Sequence, residues 1–332
     1  MRDARTGARH RGRGRVLIPL AEIEKARDRI ADVAIRTPLV RLHAADAPAE
    51  TWLKLECLQP IGSFKIRGAA NAIRSAPEGA IERGVLTTSA GNMAQGVAWI
   101  AREEGVPATI IVPDHAPQTK LDAIVRLGGS VVKVPFERWW QAMEEASFPG
   151  VEGYFVHPVT DGAVMAGNGT IGLELVEELD DIETVLVPWG GGGLATGIAS
   201  ALASLSPRTR VLACEPETGA PLAASLAAGE PVGVEYTPSF VDGAGSKGLL
   251  PAMWEPARRL VAGAHVVTLD ETAAAVRVLA ERARVVAEGA GALAVAAALS
   301  GRTGSGRTVC IVSGGNIDSA RLVAILEGRT PL

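Results

Sequence analysis

The chain has 332 residues, 47% of them hydrophobic and 21% charged, with a mean hydropathy of +0.19; it can bury a large core and is too long for one small module. A formal net charge of -4 and a pI near 5.8 exclude a nucleic-acid groove or an anionic membrane surface as the main partner, since neither attracts an acidic field. Cys57, Cys214 and Cys310 stand far apart without metal-ligand spacing, no apolar run could span a bilayer, and the N-terminus lacks the apolar core of a secretory signal, so a cytoplasmic protein in a reducing compartment is expected.

Residues 1–15 carry Arg2, Arg5, Arg9, Arg11, Arg13 and Arg15 among glycines, cannot pack a face, and read as a disordered basic tail. From Leu17 onward short β-branched or apolar runs alternate with helical patterns, the signature of a parallel α/β architecture. The expected strands are Gly84 to Thr88, Thr109 to Val112, Val131 to Val134, Thr184 to Val187, Arg210 to Ala213, Val266 to Leu269 and Val309 to Val312. Helical spacing falls on Ala94 to Glu104, Lys120 to Leu127, Thr170 to Glu178, Ala195 to Leu205, Glu271 to Val286 and Ala292 to Leu299. Trp139 and Trp140 sit on a further helical stretch and read as core packing in preference to a substrate wall.

Ligands of open α/β sheets sit beyond the carboxyl ends of the strands, and three loops there are unusual. Ser89-Ala90-Gly91-Asn92-Met93 opens a helix and so presents free backbone N–H groups beside a hydroxyl and an amide, a site sized for a carboxylate. The run Gly190 to Gly193, followed by Leu194, lets backbone wrap closely around a phosphate at a helix N-terminus. Ser313-Gly314-Gly315-Asn316 places a lone hydroxyl at a strand end. Upstream of all three, Gly62-Ser63-Phe64-Lys65-Ile66-Arg67 puts a lysine at the start of a helix. Lys65 is either a solvated first-turn lysine or a partly desolvated amine able to form a Schiff base with an aldehyde cofactor. A rival pattern exists: Gly190-x-Gly192-x-x-Ala195 with Glu215 about twenty residues on fits a dinucleotide fingerprint, hence a nicotinamide-dependent dehydrogenase. That alternative leaves Lys65, the Ser89 to Met93 loop and Ser313 unexplained. One phosphate-bearing aldehyde uses them all.

In order along the chain, Gly62 to Ala69, Ser89 to Gly96, Pro188 to Leu194, Glu288-Gly289-Ala290-Gly291-Ala292 and Ser313 to Asn316 resemble the motifs of fold-type II pyridoxal-phosphate enzymes, of the tryptophan synthase β-like fold. The branch they are most similar to is that of the threonine/serine ammonia-lyases, with serine racemase as a relative. The resemblance implies a two-domain α/β enzyme of mostly parallel sheets: a small domain at 84–158, a large one combining 16–83 and 159–332, and pyridoxal 5'-phosphate in the cleft between them. It implies that Lys65 holds the cofactor and removes the α-proton, that Phe64 flanks the ring and that Asn92 bonds the ring oxygen. Gly190, Gly191, Gly192, Gly193 and Leu194 would hold the phosphate, and Ser313 would contact the ring nitrogen. Gly243 would line the opposite wall, Glu288 would stand near the ring or cap a helix, and Ser89, Ala90, Gly91, Asn92 and Met93 would grip the substrate carboxylate.

Met93 replaces a histidine common in the family, which points to an apolar contact with substrate. Ala90 stands where serine racemase has a catalytic serine, which favours the lyase branch. The family's cation site maps to Glu215, Gly219 and Pro221; Pro221 offers no side-chain ligand, so a mono- or divalent cation there is in doubt. The implied reaction is β-elimination from a β-hydroxy amino acid, most simply L-threonine or L-serine, to a 2-oxo acid and ammonia. The same fold also supports β-replacement, racemisation, action on bulkier hydroxy amino acids, or cofactor binding without catalysis. A homodimer or other homo-oligomer is implied. Because the chain ends soon after a helix at Asp318 to Leu326, no appended regulatory domain is expected.

Overall fold

The computed structural model describes residues 17–43 and 47–331, so the basic tail of the sequence analysis lies outside the described residues. In chain order the elements begin with α1 (Leu20–Ile30), β1 (Leu39–Arg41), β2 (Thr51–Lys54), α2 (Lys65–Arg74), β3 (Val85–Thr88), α3 (Asn92–Glu103), β4 (Ala108–Pro113) and α4 (Gln118–Arg126). They continue with β5 (Gly129–Val134), α5 (Phe136–Glu145), β6 (Tyr154–Phe155), α6 (Gly162–Glu178), β7 (Thr184–Pro188), α7 (Gly193–Leu205), β8 (Arg210–Pro216) and α8 (Pro221–Ala228). The last are α9 (Trp254–Leu260), β9 (Gly263–Val267), α10 (Leu269–Val278), α11 (Gly289–Leu299), β10 (Thr308–Ile311) and α12 (Ser319–Leu326).

Two sheets result. The larger has six strands in the order β1-β2-β10-β7-β8-β9, parallel except where β1 meets β2, and the smaller has four parallel strands in the order β5-β4-β3-β6. Parallel strands covered on both faces read as continuous apolar runs, and Thr184–Pro188 is buried at every position. The small sheet draws all its strands from residues 85–155, but the core beneath it also takes Ile66, Ala69 and Ile73 of α2 and Val164 of α6. Helix α2 therefore packs on both units, against α3 on one side and α6 on the other.

Several boundaries differ from the expected ones for local reasons. Helix α6 starts at Gly162 instead of Thr170, because the Asp161 side chain accepts the Ala163 N–H and caps it. Its glycines, poor helix formers alone, allow close backbone packing: a Cβ on Gly169 would lie 2.9 Å from the Gly197 carbonyl oxygen, and one on Gly197 would lie 2.8 Å from the Gly169 nitrogen and collide with the Met165 carbonyl. Strand β9 starts three residues and ends two residues earlier than expected because Thr268 and Glu271 form a reciprocal capping box that starts α10. Helix α10 loosens into a π-type turn at Leu279–Ala283 and stops at Arg284, whose φ of 60° is left-handed, so it falls short of Val286. Trp139 packs partly against Leu86, Ile111 and Val134, whereas Trp140 remains 39% exposed, so the core reading holds for the first tryptophan only.

The backbone approach of α6 and α7 gives a direct test. Replacing Gly197 by Ala gains about 1 kcal/mol of helix propensity, yet the collision with Met165 should outweigh it, for a net loss of about 1–3 kcal/mol. Gly248→Ala, with nothing within 4 Å of the added carbon, should leave the urea midpoint unchanged. Equal midpoints for the two variants would show that the helices can separate without cost.

Candidate active site

The site is built on the first turn of α2. Gly62, with φ of 71°, turns the chain, and a Cβ there would collide with Asn316. Ser63 bridges to Gly314, the Phe64 N–H donates to the Ser313 carbonyl at 3.0 Å, and the Gly315 N–H donates to the Gly62 carbonyl at 2.9 Å. These bonds tie the start of α2 to the loop after β10. The Lys65 amine donates to the Pro158 carbonyl at 3.1 Å and lies 5.2 Å from the centre of the Phe64 ring. Part of the Lys65 side chain stays open to the cleft, but desolvation of its amine drives the pKa down to about 8, with the Glu288 charge opposing the shift. The solvated-lysine reading is thereby displaced.

Lys65 connects to the glycine run through the turn after β6, where Pro158 precedes the Val159 that packs on Gly191 and Gly193. Gly192 has φ of 96° and caps α7, and its missing side chain makes room for the Trp189 ring beneath it. A Cβ on Gly190 would come 3.0 Å from the Gly243 carbonyl oxygen, and one on Gly193 would come 2.9 Å from that of Val159. Gly191 could not carry any side chain without collision with Val159. Leu194 follows, buried, on the first turn of α7. The N-terminus of α7 has no side-chain cap, and none of the four residues before Leu194 carries a side chain that could reach its backbone donors.

Asn92 opens α3 and connects the predicted Glu288 to Asn316: its Nδ2 donates to Glu288 Oε1 at 2.7 Å, and its Oδ1 accepts from Asn316 Nδ2 at 2.8 Å. Glu288 is 6% exposed, and burial, aided by Asp242, pushes its pKa up to about 7 against the opposing effects of Asn92, Lys120 and Lys65. Gly243 borders Ala290 and Glu288, and Ser313, 3% exposed, lies at the end of β10. Contacts thus link Phe64 to Ser313, Lys65 through Pro158 and Val159 to Gly191 and Gly193, Gly190 to Gly243, and Gly243 through Glu288 to Asn92.

The Ser89 to Met93 loop divides. Gly91 faces open space, with nothing within 4 Å of an added Cβ, and the Ser89 hydroxyl accepts the Gly91 N–H at 3.2 Å. Ala90 packs partly against the small-sheet core. Met93 requires a correction: its side chain is 1% exposed and joins Ala94, Val97, Ile100 and Ala101 in that core. The helical phase of Met93, Val97 and Ile100 turns the thioether inward, so only the Met93 backbone faces the loop.

Glu215 also needs correction as a cation ligand. Both Glu215 oxygens are engaged at the N-terminus of α8, accepting the Leu222 N–H at 2.9 Å and the Ala223 N–H at 2.8 Å, and burial pushes the carboxyl pKa up to about 7. Gly219 packs against Tyr236 and Ser246, and the described residues hold no cluster of three or more His, Cys, Asp or Glu able to bind a metal.

One segment of the site was not anticipated. The turn His157–Asp161 after β6 supplies the Pro158 carbonyl to Lys65 and Val159 to the glycine run. A histidine-proline pair between a short apolar run and a glycine-rich helix was the available signal.

A model of the pyridoxal-phosphate dependent enzyme family matches residues 30–314. The chain belongs to that family. An L-threonine ammonia-lyase of Thermotoga maritima is 41% identical over 308 residues, 91% of this chain and 76% of that protein. Among solved structures, maize serine racemase matches with a TM-score of 0.84 at 32% identity, covering 94% of this chain and 98% of that one. The processed form of threonine deaminase isoform 2 from Solanum lycopersicum matches with a TM-score of 0.83 at 31% identity, covering 93% and 91%. The expected α/β fold of this family is therefore correct, and its cofactor is pyridoxal 5'-phosphate.

The residues present fit that cofactor. The first turn of α7 has backbone N–H groups without a side-chain cap, and the desolvated Lys65 amine bonds Pro158, whose neighbour Val159 packs on Gly191 and Gly193. Fully buried Ser63, two residues before Lys65, has a hydroxyl with no protein hydrogen-bond partner. The lysine environment sets a pH dependence. An amine attacks an aldehyde only when neutral, so capture of pyridoxal phosphate by the apoprotein should accelerate as pH rises through about 8 and level off above it. An ordinary lysine would need pH above about 10 for the same plateau. Stopped-flow absorbance across pH 6 to 10 checks this, and a rate that still climbs steeply at the top of the range, as for a solvated lysine, would contradict the desolvated amine.

Proposed function

We propose that this chain is an ammonia-lyase that eliminates water from L-threonine, and also from L-serine, releasing ammonia and a 2-oxo acid. The observation that carries the reading is a desolvated Lys65 amine bonded to Pro158, next to the Val159 that packs on the uncapped, glycine-rich N-terminus of α7, in a chain 41% identical to an L-threonine ammonia-lyase. When bound, pyridoxal phosphate supplies the electron sink for charge that develops at the α-carbon.

The chain's own groups have separable tasks. Gly190 to Gly193 and the first turn of α7 would hold the phosphate through backbone N–H groups. Phe64 would flank the ring, Asn92 would bond its oxygen, and the Ser313 hydroxyl would hold the ring nitrogen without protonating it. Glu288, bonded to Asn92 Nδ2 at 2.7 Å, fixes that amide and leaves its oxygen toward Asn316. Ser89, Gly91 and the backbone N–H groups at the start of α3 would receive the substrate carboxylate. Lys65 Nζ, neutral above about pH 8, then takes the α-proton. Ala90 has no proton to give to the opposite face of the α-carbon, which favours elimination over racemisation.

The reading places the cofactor between a small unit at 84–158 and a large unit formed by 16–83 and 159–332, in a cytoplasmic homo-oligomer. It is supported by the two sheets and by three free, buried cysteines, and no helix among the described residues is long and apolar enough to cross a membrane.

Assay of ammonia and oxo-acid release from a panel of hydroxy amino acids, with wild type and Lys65→Ala, tests the assignment. Threonine should be the preferred substrate, and Lys65→Ala should lose at least about a thousandfold in kcat while still binding pyridoxal phosphate non-covalently. Near-normal turnover by the variant, or no release from either threonine or serine by wild type, would overturn it.

A further inference from the structure

The turn between β6 and α6 touches both halves of the site, and its shape depends on one side chain. His157 Nδ1 accepts the Val159 N–H at 3.1 Å and the Thr160 N–H at 3.0 Å. A nitrogen that accepts two N–H groups carries no proton, so the ring proton belongs on Nε2. The turn is anchored at both ends. The Thr87 hydroxyl donates to the Val156 carbonyl at 2.8 Å, and Asp161 accepts the Ala163 N–H at 2.7 Å. Between these anchors, Pro158 is buried and has a carbonyl but no N–H, and that carbonyl accepts from Lys65 Nζ. The next residue, Val159, meets Gly191 and Gly193.

We propose that His157 is a positioning residue: by gathering the Val159 and Thr160 N–H groups on Nδ1, it aims the Pro158 carbonyl at the Lys65 amine and seats Val159 against the glycine run. A neutral amine that donates one N–H to Pro158 is held in one rotamer with its lone pair uncommitted. Without the imidazole the two N–H groups lose their acceptor, the turn relaxes, and the amine loses its fixed direction. Misorientation of a reacting group by this route lowers rate more than affinity. The proposal rests on Lys65 being the residue that carries the cofactor.

The test compares wild type with His157→Leu, His157→Asn and His157→Gln. Apoprotein is mixed with pyridoxal phosphate, quenched with borohydride at intervals, and the cofactor fixed on Lys65 is quantified; kcat and KM for threonine are measured on the holoenzymes. His157→Leu should capture the cofactor about tenfold more slowly, with a similar fall in kcat and KM within about twofold of wild type. Asn places its Oδ1 where Nδ1 stands and should restore capture to within about threefold, whereas Gln, one methylene longer, should stay slow. Capture by His157→Leu at the wild-type rate, or an Asn variant as slow as Gln, would overturn the proposal. If melting curves show that His157→Leu does not fold, the contrast between Asn and Gln decides alone, and equal rates refute it. Failure of wild type to take cofactor on Lys65 would remove the assignment of that lysine, and this inference with it.

Discussion

The helix that carries Lys65 is held by a set of buried charges centred on Arg67. Its guanidinium meets Glu56 in a two-pronged pair, both bonds at 2.8 Å, and reaches Glu174 at 2.6 and 3.0 Å, Thr170 at 3.0 Å and the Ile35 carbonyl at 3.1 Å. Lys54 completes the set, 2.8 Å from Glu174 and 2.7 Å from the Thr37 carbonyl. Two cations thus balance two inner carboxylates, with Glu178 at the rim. Burial raises the Glu56 pKa, but the charge and hydrogen bonds of Arg67, with Thr37 and Lys54, more than offset it and hold the carboxyl below its usual range. Removing one partner would strand a buried charge at a cost of about 3–5 kcal/mol. The cluster joins β2, α2 and α6, three elements with no local reason to meet.

Its functional consequence follows from helix geometry. Residues two apart on an α-helix point about 200° apart around the axis, so fixing Arg67 against Glu56 and Glu174 turns Lys65 to the other side of the helix. The same helix approaches α6 through Gly68, where a Cβ would come 2.8 Å from Val164 and 2.9 Å from the Asn168 side chain. Depth then does the chemical work. Desolvation lowers the Lys65 pKa and raises that of Glu288, while the charge of each opposes the shift of the other.

How much of this the sequence disclosed depends on whether the signal was local. The glycine run, the Lys65 turn and Ser313 each follow a break between an apolar run and a helical pattern, so their place at strand ends and helix starts could be read directly. Met93 was misread although its phase with Val97 and Ile100 was available, because a substitution in a motif was given more weight than the helical period. Glu215 was read as a ligand because the α8 helix that it caps was not recognised. The His157–Asp161 turn was missed because β6 is two residues long and carries no periodic pattern, and the meeting of Pro158 with Lys65 spans 93 residues. Arg67 was quoted as part of a motif, but its partners at positions 56 and 174 meet it only in three dimensions.

The account stands on one lysine out of six in the chain, at positions 25, 54, 65, 120, 133 and 247. Borohydride reduction of the cofactor-loaded protein, followed by proteolysis and mass spectrometry of the phosphopyridoxyl peptide, reads which of them carries the cofactor. Label confined to the peptide containing Lys65 is the predicted result. Label on Lys120 or Lys54, label spread over several surface lysines, or none at all would contradict the account.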